Sequence, residues 1–236
     1  LGGVLEHQAA FQAIADANGD NRSAGTAGYT ASARYVIDTM TAAGWNVTTH
    51  EFPFTYVPPA VLEQLTPVTG DYETGSYTGA GTGNVTGNVI AVDVVLAPPR
   101  NPVTSGCEAA DFAGLDFSGT NDIALMQRGT CTFGTKALNA EAAGAEAAII
   151  FNQGNTPDRE GLIIGTLGGP NIVAIPVVGA SFADGAALAA AGSTAHVQID
   201  PPSERPQINV IAELPGKNTN NVVMAGAHLD SVQRGP

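Results

Sequence analysis

Apolar positions near the start of the chain follow a helical spacing. Val4, Leu5, Phe11, Ile14 and Ala15 share one face of a helix predicted over residues 4–17. The stretch NGDNRSAGTAGYT breaks that spacing with Gly, Asn and Asp and reads as a loop. Tyr29, Ala33, Val36, Ile37 and Met40 then recur at i, i+4, i+7, i+8 and i+11, the stripe of a second amphipathic helix, and Gly44 is placed to stop it. In WNVTTHEF the period becomes two, and the Val, Thr and aromatic content predicts a strand.

The texture changes at Val57. From there to about Pro202 the chain is rich in Gly, Thr, Val and Pro, and short apolar runs predict strands at 89–96, 123–126, 147–151, 172–178 and 196–199. Two helices interrupt them. One spans 135–143 and ends near Gly144. The other starts at Ser181, where Ser-Phe-Ala-Asp resembles a capping box with Asp184 in the place of the usual Glu. TGAGTGNVTG lacks the Gly-Lys-Ser/Thr of a phosphate loop and reads as a turn region. After DPPSERP, the runs QINVIAELPG and NNVVMAGAHLD read as continuous apolar strands on either side of a Pro-Gly-Lys-Asn turn. Strands apolar on both faces suit the centre of a sheet covered by helices. The pattern predicts an α/β fold, α+β over the chain as a whole. A sheet domain begins over residues 1–56, is interrupted by a β-rich module over 57–203, and resumes over 204–236.

Composition narrows the classes of partner. The chain has 236 residues, with 22 acidic against 9 basic side chains, and Lys136 and Lys217 are its only lysines. Such a surface repels phosphate backbones and anionic lipid, so neither nucleic acid nor a membrane is an expected partner. No run of apolar residues is long enough for a transmembrane helix. Leu1 is not an initiator methionine and Glu6 and His7 follow it, so any targeting peptide is expected to have been removed or to lie upstream. Cys107 and Cys131 are the only cysteines, too few for a structural zinc knuckle. They admit two readings, a pair of free thiols or one disulfide that favours an oxidising compartment. Asn21-Arg-Ser, Asn46-Val-Thr and Asn84-Val-Thr match the glycosylation sequon, which carries weight only in a source that glycosylates.

The candidate chemistry lies at the end of the last apolar run. His228 stands at the carboxyl end of that run, where open α/β sheets gather ligands. Imidazole is a natural zinc ligand, and its second ring nitrogen needs an acceptor that fixes the tautomer. Asp230, two residues on, falls on the same side of an extended chain and suits that role. An isolated His-x-Asp is also an ordinary hydrogen-bonded pair, and one imidazole does not complete a zinc site. His7, His50 and His196 lie in unrelated segments, and no serine or cysteine sits in a nucleophile-elbow context.

Three stretches together carry a family resemblance. NVVMAGAHLDSVQRGP resembles the first metal-binding segment of the di-zinc aminopeptidases related to glutamate carboxypeptidase II and the transferrin receptor. IADANGDNRSAGTAGYTASARYVIDTMTAAGWNVTTHEF is similar to the opening helix, Asn-Arg-x-x-Gly-Thr loop, second helix and first strand of that family. DIALMQRGTCTFGTKALNAEAAGAEAAIIFNQ, with GCEAADF upstream, resembles a protease-associated domain. The resemblance implies that His228 binds one of two zinc ions and that Asp230 orients it. It also implies that Cys107 and Cys131 pair, as cysteines at these places do in secreted members. A zinc-activated water and a glutamate base would release an amino acid from the amino terminus of a peptide.

The resemblance also implies parts that lie beyond Pro236: a bridging aspartate, the glutamate base, the remaining ligands and the groups that hold the substrate's amino group. The chain is therefore expected to be the amino-terminal part of a longer enzyme, holding zinc weakly and hydrolysing nothing by itself, with the carboxy-terminal catalytic half as its natural partner. Two other readings compete. In one, the inserted module is a binding domain for peptides or for substrate access. In the other, the chain is a secreted β-rich domain without a ligand.

Overall fold

A computed structural model describes residues 2–218 and 220–233. In chain order the elements are α1 (Gly2–Asp16), α2 (Ala27–Ala42), β1 (Asn46–Tyr56), β2 (Val61–Thr66), β3 (Gly70–Asp71), β4 (Gly83–Ala91), β5 (Asp122–Gln127), α3 (Phe133–Ala143), β6 (Ala147–Phe151), β7 (Val177–Ala180), α4 (Phe182–Leu188), β8 (Thr194–Ile199) and β9 (Ser203–Glu213). They form the mixed α/β fold that the pattern predicts. Two compact units result, one of residues 1–57 with 202–236 and one of residues 58–201. Among the described residues no helix is long and apolar enough to cross a membrane.

In the first unit α1 and α2 meet through Phe11 and Tyr35, whose rings lie edge to face at 5.3 Å. Thr26 caps α2, its hydroxyl accepting from the Tyr29 amide at 3.4 Å. β1 and β9 form an antiparallel ribbon in unbroken register from Asn46 opposite Glu213 to Tyr56 opposite Ser203. Two expectations fail here. β9 carries most of QINVIAELPG, yet its sheet has two strands and, apart from the buried Gln207, its residues are partly covered or exposed. NNVVMAGAHLD forms no strand at all, and Val222, Val223 and Met224 are exposed. A strand exists only where its N–H and C=O groups meet a neighbour's. β1 and β9 satisfy each other, and no described strand pairs with residues 221–230. Apolar content alone supplies no ladder.

The second unit is a seven-stranded sheet in the order β3-β2-β8-β4-β5-β6-β7. β2, β8 and β4 pair antiparallel, and β4 through β7 run parallel. β5 and β6 are buried along their whole length, the continuous apolar texture of parallel strands covered on both faces. Alternation sends Ala124, Met126, Ala148 and Ile150 to one face, where they pack with Ala137 and Ala140 of α3. It sends Ile123, Leu125, Ile149 and Phe151 to the other, with Leu188 of α4. The fold thus has a helix on each side of its central strands.

Elsewhere in this unit the backbone overrules apolar content. The run predicted at 89–96 ends as a strand at Ala91, and Asp93 turns the chain in the left-handed region at φ 44°. Of the run predicted at 172–178, only Val177 and Val178 join a strand. Pro176 has no N–H to offer, and the Ile172 amide is taken by the Gly79 carbonyl at 2.8 Å. Half of TGAGTGNVTG is not a turn, because Gly83 to Gly87 open β4. Cys107 and Cys131 are bonded, with Cα atoms 5.7 Å apart, which settles the open reading of these cysteines. Closing that 24-residue span stabilises the fold by roughly 3.5 kcal/mol on the chain-entropy account.

Candidate metal-ligand segment

The loop between α1 and α2 shapes the surroundings of His228. Asn21 closes it, its Oδ1 accepting from the Ser23 amide at 3.2 Å and the Ser23 hydroxyl at 3.0 Å. The loop lies so close to α2 that a Cβ on Gly28 would stand 2.1 Å from the Asn21 carbonyl oxygen. At Gly25 the backbone is left-handed, at φ +85°, and a Cβ would meet the Tyr56 ring at 2.6 Å. Arg205 of β9 donates to the Gly25 carbonyl, and its guanidinium lies 3.7 Å from the centre of the Tyr56 ring. The ribbon therefore holds the loop from one side.

The loop in turn holds residues 229–231. The Arg22 guanidinium donates to the Leu229 carbonyl at 2.8 Å. The Arg22 amide donates to the Ser231 hydroxyl at 2.8 Å, and the Ser231 amide donates back to the Arg22 carbonyl at 3.2 Å. Arg22 is itself seated by the Ser32 hydroxyl at 3.4 Å and by the Phe11 ring, 4.7 Å from its centre. The backbone on both sides of Asp230 is thereby pinned.

His228 Nδ1 lies 3.2 Å from Asp230 Oδ1. An Nδ1–H donating to that carboxylate leaves Nε2 as the unprotonated nitrogen, available to a ligand. The His228 side chain is 94% exposed and that of Asp230 is 39% exposed. Tyr29 closes the covered side. Its hydroxyl donates to the Ile208 carbonyl at 2.6 Å, and burial raises its pKa, with the Asp230 carboxylate adding to the rise. The donor set suits a zinc ion as one oriented imidazole. Among the described residues no group of three or more His, Cys, Asp or Glu side chains could hold a metal.

The other histidines are occupied locally. His7 pairs with the Tyr35 hydroxyl at 2.7 Å, His50 stacks with Phe52, and His196 bridges Glu63 at 2.9 Å and Asn84 at 3.1 Å. The spacing His-x-Asp pointed to the pair that forms. It gave no sign of Arg22, Tyr29 or Arg205, whose roles depend on tertiary placement. Arg22 showed only as part of a Gly-rich break and of the Asn-Arg-x-x-Gly-Thr resemblance, which name a loop without saying what it grips.

Residues 77–188 match the PA domain, and residues 209–236 match peptidase family M28. An aminopeptidase of Pseudomonas aeruginosa is 44% identical over 244 residues, covering 99% of this chain and 44% of the relative. Leucine aminopeptidase 2 of Trichophyton equinum is 37% identical over 153 residues, covering 59% of this chain and 29% of the relative. Among solved structures, the aminopeptidase from Aneurinibacillus sp. strain AM-1 aligns with a TM-score of 0.48 at 29% identity, over 96% of this chain and 53% of its own. The zinc aminopeptidase BSAP from Bacillus subtilis aligns with a TM-score of 0.47 at 25% identity, over 90% of this chain and 48% of its own. The chain spans less than half the length of these curated relatives. A match to the PA domain is thus followed in the same chain by a match to peptidase family M28, and the second match contains His228.

Proposed function

We propose that this chain is the amino-terminal part of a secreted, zinc-dependent aminopeptidase, and that His228 is one of its metal ligands. The observation that carries the reading is the His228–Asp230 pair, 3.2 Å apart, inside the segment that matches family M28. Zinc, when bound, polarises a carbonyl and lowers the pKa of a bound water. The residues of this chain contribute orientation. Asp230 holds the Nδ1 proton and so presents Nε2 as the donor, and its negative charge raises the basicity of that nitrogen. The complete enzyme is proposed to hold two zinc ions, with the remaining ligands and the general base outside these 236 residues, and to act on the amino terminus of peptides. The Cys107–Cys131 disulfide supports an extracellular location, since such bonds persist in oxidising compartments.

The test uses the full-length protein, supplied with zinc and an aminoacyl anilide. Amino acid is released by the wild type. His228→Ala removes that activity, and Asp230→Asn lowers it by roughly 10–100-fold, the usual loss when the partner of a ligating histidine is changed. A wild type that releases no amino acid, or a His228→Ala variant of full activity, refutes the reading.

A further inference from the structure

We infer that Arg22 is a positioning residue for the metal-ligand segment: through Leu229 and Ser231 it sets how firmly Asp230 holds His228 for zinc. The inference rests on the reading of His228 as a zinc ligand. It concerns a residue more than 200 positions away in sequence, whose contacts here are those a positioning group requires.

Residues 221–232 have no ladder to hold them, and the His228 side chain is almost wholly exposed. Orientation at Asp230 must therefore come from side-chain and loop contacts. Arg22 contributes three hydrogen bonds to it, one from its side chain and two from its main chain: guanidinium to the Leu229 carbonyl, amide to the Ser231 hydroxyl, and carbonyl from the Ser231 amide. One bond lies before Asp230 and two lie after it, so the backbone that carries the carboxylate is fixed from both ends.

The charge on Arg22 has an unusual use. The chain has 22 carboxylate side chains, yet among the described residues none forms an ion pair with Arg22. Its Nε is buried and has no hydrogen-bond partner among the described residues. Leaving a donor unmet and a guanidinium unpaired is costly. The arrangement instead directs a rigid planar fork at one backbone carbonyl and seats its face on the Phe11 ring. A flexible ammonium in this place would reach the carbonyl without the ring contact. Gly28 permits the approach by leaving room for the Asn21 carbonyl, and Ser32 adds a further acceptor.

An imidazole whose carboxylate partner wanders pays an ordering cost each time it binds metal. Arg22 removes part of that cost in advance, so its loss appears in zinc affinity before it appears in the chemistry. Binding and positioning are reciprocal, and zinc should protect the α1–α2 loop in return.

The experiment measures zinc binding by chelator competition in the full-length protein, at the site that His228→Ala abolishes. Melting temperatures of the zinc-free forms are measured alongside. Arg22→Ala removes the guanidinium bond to Leu229 and leaves the two main-chain bonds to Ser231, so it weakens zinc there measurably but by less than the roughly 10–100-fold of losing the histidine's own partner, and Arg22→Lys recovers part of the loss. The double variant Arg22→Ala/Asp230→Ala binds little worse than Asp230→Ala, because both changes act through one contact. Zinc affinity unchanged in Arg22→Ala, or losses that simply add in the double variant, overturns the inference and leaves Arg22 a structural residue. If Arg22→Ala does not fold, Arg22→Lys and Ser231→Ala carry the same comparison. A wild type without zinc, or a His228→Ala variant that binds zinc like wild type, overturns the ligand reading itself and this inference with it.

Discussion

Lys136 shows how a single residue can record its surroundings in its charge. It lies in α3, fully buried, and its ammonium donates to the Ser105 carbonyl and approaches the Cys107 sulfur at 3.7 Å. Burial pushes its pKa down to about 8, and the carboxylates of Asp111 and Asp93 only partly oppose the fall. A depressed lysine pKa means that the unfolded chain holds the proton more tightly than the folded one. Stability therefore rises with pH from about 8 to the unfolded value of 10.5, and the cost is fully present below 8. Lys136→Met removes that dependence. Urea unfolding at pH 7 and pH 10 is expected to show the wild type gaining up to about 3 kcal/mol relative to the variant. Curves that stay parallel between the two pH values would contradict the buried-charge account. Sequence alone gave no hint of this, since Lys136 stood only as one residue of the helix predicted over 135–143. His228 and Asp230 were legible for the opposite reason. Their relation is local, set by two residues of extended chain.

Among the elements, helices were read more reliably than strands. The predicted helices at 4–17 and 135–143 correspond to α1 and α3, and Ser181 does cap α4, its hydroxyl accepting from the Asp184 amide at 3.1 Å. A helix satisfies its own backbone, so spacing and caps suffice to place it. A strand is completed elsewhere. β6 was read to the residue because a short apolar run buried on both faces has no other use. β2 was missed, and residues 221–230 were read as a strand that has no described partner. Glycine misled in β4. Gly87 looks like a turn residue, yet a Cβ there would fall 1.5 Å from the Asn121 carbonyl oxygen, so it serves close packing beside the strand. Gly87→Ala is expected to destabilise the unit by about 2 kcal/mol or more through forced backbone displacement. Gly161→Ala, with nothing within 4 Å of the added carbon, should stay within about 0.5 kcal/mol. Urea midpoints measured for both variants decide this; equal midpoints would mean that β4 yields without cost.

At the scale of the whole molecule, buried apolar mass is divided unevenly. In the unit of residues 1–57 and 202–236, the buried apolar residues among those described are Ala15, Tyr29 and Ala33. The unit of residues 58–201 carries both apolar clusters, the disulfide and the complete seven-stranded sheet. It also closes on itself. Its first and last long strands pair, with Val61 opposite Gln198, so the chain enters and leaves by neighbouring strands. The ribbon outside is closed in the same way, with Tyr56 opposite Ser203. An insertion whose ends lie side by side can be removed without stretching either part. Residues 58–201 expressed alone, with the disulfide formed, are expected to unfold in one cooperative transition and to show dispersed amide resonances. The burial of Ile123, Leu125, Ile149 and Ile150 needs nothing outside the unit. Broad melting or collapsed resonances would show that its core depends on the flanking segments. A folded isolate would make residues 58–201 a separable module that can be altered without touching the segment that bears His228.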